Sequence, residues 1–98
     1  EEAPGEAKVL FEKACEHSEP SACVHLASLY FAGRGVEKDG QRATSLLEQA
    51  CQKRVPEACF NLGILHQQGK VVEKDTGAAR DYMKKACQAG YQKACGSE

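Results

Sequence analysis

A chain of 98 residues is bounded to one small domain (1–98), in which a hydrophobic core alone is marginal and added staples are expected. Its 13 basic and 14 acidic side chains leave a net charge of −1 and are mixed along the sequence, which excludes a nucleic-acid module built on a basic patch. No apolar run approaches the length of a membrane span, so membrane insertion is excluded too. The chain opens on Glu1 and has no signal-peptide pattern, as expected of a processed or excised piece from which any targeting segment would already be gone.

In chain order, Ala7, Leu10, Phe11, Ala14 and Cys15 sit at i, i+3, i+4, i+7 and i+8 and predict a helix over 6–17. After a short break, Ala22, Cys23, Leu26, Leu29 and Tyr30 predict a second helix over 21–33. Pro20 suits its first turn and Gly33 its end. Val36 is placed to pin the following loop, and Asp39 to cap a third helix over 40–53 with the stripe Ala43, Leu46, Leu47, Ala50, Cys51. Pro56, the stripe Ala58, Cys59, Leu62, Leu65, His66 and then Gly69 predict a fourth over 57–69. Val72 and Asp75 repeat the loop and cap, ahead of a fifth helix over 76–89 and a short turn near 92–95.

The order of these features is a repeat. The cysteines fall at 15 and 23, 51 and 59, 87 and 95, eight apart within each pair, and successive pairs are 36 apart. Residues 7–42 and 43–78 share 15 of 36 positions, and 79–98 begins a third copy that stops early. Each copy reads as a helix–turn–helix hairpin in which Ala14, Ala22, Ala50, Ala58 and Gly63 let the two helices approach closely. A single hairpin cannot bury its apolar face, so the expected fold is all-α: a right-handed α/α solenoid of about two and a half stacked repeats.

Six cysteines suggest either a disulfide framework in an oxidising compartment or three pairs of small buried thiols. Zinc ligation, redox catalysis and covalent haem attachment each prefer a Cys-x-x-Cys spacing that does not occur, so no metal and no cofactor are expected.

The stretches Leu26-Ala27-Ser28-Leu29-Tyr30-Phe31-Ala32-Gly33-Arg34-Gly35-Val36-Glu37-Lys38-Asp39 and Phe60-Asn61-Leu62-Gly63-Ile64-Leu65-His66 resemble the Sel1-like repeat, a relative of the tetratricopeptide repeat. The likeness covers residues 7–95. Val71 departs from it by standing where the first copy has Gly35, and the third copy lacks its long second helix. A cysteine at both positions of every pair resembles the cysteine-rich branch of that family, found among secreted bacterial proteins and in the mitochondrial intermembrane space. This implies an oxidising extracytoplasmic home and one bridge across each hairpin, Cys15–Cys23, Cys51–Cys59 and Cys87–Cys95. Closing so short a loop stabilises by roughly 2.5 kcal/mol per bridge on chain-entropy grounds. Three bridges are then comparable to the net stability of a small domain.

The function this implies is a non-enzymatic scaffold or adaptor that binds a protein or peptide and is itself a monomer. In this class the first helices line the concave side, and their outward residues form ladders at 36-residue steps: Lys8/Thr44/Arg80, Glu12/Glu48/Lys84 and Lys13/Gln49/Lys85. His25, Tyr30, Phe31 and Asn61 on the second helices are further candidates. Some bacterial relatives are described as penicillin-binding or as weak β-lactamases, but no serine here has a lysine three positions later, so no catalytic residue is assigned. His17 is expected on the surface and His66 in packing. The remaining alternative is a structural slice of a longer solenoid, which exposed apolar residues such as Phe31 or Tyr91 would favour.

Overall fold

The computed structural model describes residues 4–17 and 19–95. Six helices follow in order: α1 Pro4–His17, α2 Ser21–Ala32, α3 Gly40–Gln52, α4 Pro56–Gln68, α5 Thr76–Gln88 and the single-turn α6 Gln92–Cys95. There is no strand among the described residues. Each helix packs on the next in the chain, and α2 also reaches α4. The result is an elongated stack of 41 × 27 × 20 Å, in which α1–α2, α3–α4 and α5–α6 are successive hairpins.

The element ends follow from capping chemistry. Asp39 and Asp75 hold extended backbone and accept hydrogen bonds from the N–H groups of Arg42 and Ala78, each at 3.0 Å. Gly33 and Gly69 stop α2 and α4 in the left-handed region at φ 70°. Pro56 opens α4 as its first residue, whereas Pro20 lies one residue outside α2 and already has helical dihedrals. The loops after α2 and α4 are closed from their far ends too: Asp39 N–H donates to Tyr30 O, and Asp75 N–H to His66 O, both at 3.0 Å. Within the hairpins, Glu19, Val55 and Tyr91 each donate a backbone N–H to the carbonyl of Ala14, Ala50 and Ala86, at 2.8, 3.0 and 2.9 Å. All three hairpin turns therefore share one backbone pattern.

One core runs the length of the stack. Leu26, Leu47, Leu62, Cys23 and Cys59 are its largest fully buried side chains, with Ala43, Ala50, Ala58 and Ala86 at the close helix approaches. Val36 packs against it as expected. Gly63 plays a different part from the one its sequence position suggests. A Cβ there would lie 2.9 Å from Met83 Cε and 3.2 Å from Ala79 O, so the glycine admits α5 of the next hairpin rather than its own partner α3. The loop at Val71 also differs: Gly35 has φ 75°, but Val71 is not among the positive-φ residues and instead lies against Gly40. Arg54 is the one described non-glycine residue with positive φ, 67°, at the turn position where the third copy has Gly90.

Gly69 is the tighter of the two helix stops. A Cβ on it would sit 2.8 Å from Lys74 Cβ and 3.3 Å from Lys74 Cα, against 3.3 Å from Lys38 Cβ at Gly33. Gly69→Ala is expected to lower unfolding free energy by about 2 kcal/mol, and Gly33→Ala by about 1 kcal/mol, in denaturant titrations. Equal losses, or none, would show that the loop relaxes freely around both positions.

Candidate functional site

All three cysteine pairs are bridged within their hairpins, with Cα–Cα separations of 4.8 Å in each case. No described cysteine is free. The bridges sit at the turn ends, where the last turn of one helix meets the first turn of the next. Their burial is graded: Cys15, Cys23, Cys51 and Cys59 lie in the core, Cys87 is partly covered and Cys95 is exposed. None of the described residues forms a cluster of three or more histidine, cysteine or acidic groups suited to a metal ion.

The surface ladders are only partly realised. Lys8 and Glu12 are half-buried and paired along α1, Nζ to Oε2 at 3.8 Å, and the same Oε2 reaches Arg42 Nη2 of α3 at 4.0 Å. Arg42 in turn places its guanidinium 5.3 Å from the centre of the Tyr30 ring. Lys8, Glu12, Arg42 and Tyr30 thus form one connected strip across the first two hairpins. Tyr30 is not outward: it is 8% exposed and lies at the α2–α3 seam beneath Arg42. Thr44 is not outward either. It is 6% exposed, and its hydroxyl donates to Gly40 O at 2.8 Å, so the rung between Lys8 and Arg80 is missing.

Glu48, Arg80 and Lys84 are exposed as expected. His25 is exposed and stacks on Phe11 across the first hairpin, ring centres 5.2 Å apart. Asn61 is half-buried and, with Val24, Ser28, Phe31 and Leu47, lines a cavity of about 210 Å³ between α2 and α4. His66 packs as its position implies, stacked on Tyr82 of α5 at 5.6 Å.

Sequence reading did not find Arg42 or Tyr82. Arg42 has Ala78 as its image, and Tyr82 falls on Leu10 and Leu46, so neither is visible in a search for recurring polar positions. Tyr82 gathers three neighbours at the α4–α5 seam: the His66 ring, the Lys85 ammonium 5.6 Å from its ring centre, and the Glu48 carboxylate. Burial first, and the Glu48 charge second, push the phenol above its usual range.

The comparisons with known proteins agree with this architecture. The Sel1 repeat model matches residues 3–18, 20–54 and 56–95, nearly the whole chain. The chain belongs to the Sel1 repeat family. The matched segments are offset by one helix from the hairpins, the segment 20–54 holding α2 and α3, and the origin of a periodic unit is free to be set at either helix. Among solved structures, a Sel1 repeat protein from Oxalobacter formigenes superimposes with a TM-score of 0.85 at 30% identity over 93% of this chain. The cysteine rich protein B of Helicobacter pylori does so at 0.86, with 32% identity over 91%. A protective antigen of uropathogenic Escherichia coli shares the fold at 0.81 and 23% identity over 93% of this chain. The chain spans 37%, 67% and 20% of these three proteins. No curated protein sequence matches significantly.

Three bridges in a cysteine-rich Sel1 repeat chain point to an oxidising, extracytoplasmic environment. Because Cys95 is exposed, limiting reductant followed by alkylation and peptide mapping is expected to label Cys87 and Cys95 before the other four. The double substitution Cys87→Ser, Cys95→Ser is expected to cost roughly 2.5 kcal/mol in denaturant unfolding. Prior labelling of Cys15 or Cys51 would contradict the burial order.

Tyr82 supplies a pH dependence. Its raised native pKa means that the folded state holds the phenolic proton more tightly than the unfolded chain does. The associated stability is complete below the unfolded value of about 10 and is lost as pH rises through the native one. Tyr82→Phe is expected to flatten the fall in melting temperature above pH 10, measured over a short alkaline series. An unchanged slope would place the alkaline loss elsewhere.

Proposed function

We propose that the chain is a non-enzymatic interaction scaffold, a monomer acting as one unit, that holds a protein or peptide partner in an oxidising compartment such as the periplasm, the extracellular space or the mitochondrial intermembrane space. The observation that carries this reading is the strip formed by Lys8, Glu12 and Arg42 on adjacent first helices, with Glu48 and Lys84 exposed further along the same series. The disulfides fix the hairpins that bear these side chains, so the strip is preorganised, and a partner has less ordering entropy to lose on binding. Charges of both signs at fixed spacing favour selectivity over bulk attraction.

A second reading has its own support. The chain spans only 37% of the Oxalobacter protein and 20% of the E. coli antigen, which favours these hairpins as one stretch of a longer solenoid whose binding surface extends past them.

Charge reversal tests the strip. Glu12→Lys and Glu48→Lys, each confirmed as folded by circular dichroism, are expected to weaken capture of a partner from the native compartment by at least about fivefold. Undiminished capture by both variants sinks the strip as the contact surface. Turnover of a chromogenic β-lactam by clean protein would replace the scaffold reading with the hydrolytic alternative.

A further inference from the structure

The turn of the second hairpin holds a residue that its backbone does not favour. Arg54 sits at φ 67°, in the left-handed region, where the third copy has Gly90 at φ 105°. A glycine takes that conformation freely and an arginine does not. An arginine kept in such a place points to a use for its side chain.

Arg54 lines a cavity of about 380 Å³ where the ends of α3 and α5 meet, with Gln52, Lys85 and Gln88 around it and the Cys51–Cys59 bridge among its walls. That volume falls in the range of small-ligand sites, about 300–1,000 Å³. The second and third hairpins form both walls. A further hairpin stacked beyond α5 and α6 touches only that neighbour, so it leaves this cavity as it is.

Two cations and two amides line the cavity, and no described carboxylate does. Neither Arg54 nor Lys85 has an ion pair among the described residues. The Lys85 ammonium lies 5.6 Å from the centre of the Tyr82 ring, a contact that orients the charge without cancelling it. The C-terminal ends of α3 and α5 bring about half a negative charge each, which leaves about one of the two positive charges in excess.

The seam of the first two hairpins is not built this way. There Ser18 and Gln49 stand where Arg54 and Lys85 do, and Glu16 where Gln52 does. The one cation of that set, Lys53 in the place of Ala89, comes with a carboxylate. The cation pair is therefore peculiar to the second seam and not a consequence of the repeat.

We propose that this cavity binds a carboxylate carried by a peptide, either its C-terminus or an acidic side chain. Arg54 supplies a planar fork matched to two carboxylate oxygens, and Lys85 a second positive charge. Gln52 and Gln88 each offer donors and an acceptor, which suits the peptide groups beside a carboxylate. A sulfate, with acceptors only, leaves the glutamine carbonyls unmatched. The proposal rests on the scaffold reading only in that the carboxylate belongs to a peptide, and it uses none of Lys8, Glu12 and Arg42.

The probes are N-acetylated tetra-alanine with a free terminal carboxylate, the same peptide amidated, an amidated one with glutamate third in its sequence, and inorganic sulfate. Nitrogen-15 NMR of the Gln52 and Gln88 side-chain amides reads the cavity. Saturable movement is expected with one or both carboxylate peptides, and the tighter of the two identifies the source of the carboxylate. The neutral peptide is expected to cause none, and sulfate to bind at least about threefold more weakly. Arg54→Gly, which copies the third hairpin, is expected to weaken peptide binding about threefold to fivefold with the melting temperature unchanged or raised. Lys85→Gln is expected to weaken it to a similar extent. Glu12→Lys is expected to leave it unchanged, which separates failure here from failure of the strip. No movement at ~10 mM peptide overturns the proposal, as does sulfate binding as tightly as the peptides. Equal movement with the neutral peptide, or undiminished binding by Arg54→Gly, overturns it too. So does a lower melting temperature in that variant, by making the arginine a counter-charge to the helix end.

Discussion

Each hairpin is held at its corner by two bonds within a few residues of each other. One is covalent, between the cysteines at the end of the first helix and the start of the second. The other is the backbone bond from Glu19, Val55 or Tyr91 to the alanine one residue before the first cysteine. Together they set where the second helix starts and which way it runs. The alanines that let the helices close, and the leucines that fill the space between them, are placed by that corner. In a helical solenoid the packing of neighbouring hairpins adds to this definition, and short-loop closure restricts the unfolded chain beside it.

The corners also explain the division between core and surface. With hairpin geometry fixed from the turn end, the opposite ends and outer faces can carry residues chosen for something other than stability. Arg42 illustrates this. Its backbone N–H serves the cap at Asp39, while its guanidinium bridges Glu12 of the preceding hairpin and covers Tyr30. One residue therefore couples helix start, inter-hairpin contact and surface charge. Tyr82 performs a related task at the next seam, with His66 and Lys85 about its ring.

Period and capping chemistry make the fold legible in the amino-acid order itself. The 36-residue step, the left-handed glycines at 33 and 69 and the aspartates at 39 and 75 act locally, and the helices begin and end within two residues of where those signals put them. The cysteine pairing is readable through family likeness and repeat symmetry. The surface is not readable in the same way, because recurrence identifies what the copies share and the distinctive contacts lie where they differ. Thr44 shares a helix position with Lys8 and Arg80, yet its hydroxyl turns back to Gly40 O and its side chain is covered by the stack. Tyr30 reads both as part of the apolar stripe of α2 and as a candidate contact, and only the position of Arg42, a residue without a counterpart, shows that it is covered. Gly63 reads as a contact within its hairpin, and only the packing of Met83 shows that it serves the one after.

The loops between hairpins are tethered by main-chain atoms at both ends: a glycine cap on one side, and on the other an aspartate N–H returned to the carbonyl of Tyr30 or His66. The pitch of the stack is thereby written in backbone, and the two residues directly after each glycine are largely relieved of holding it. Arg34 and Lys70, Gly35 and Val71 already differ between two loops that end in the same bond. Such segments can diversify as exposed labels along the edge of the array without altering its curvature.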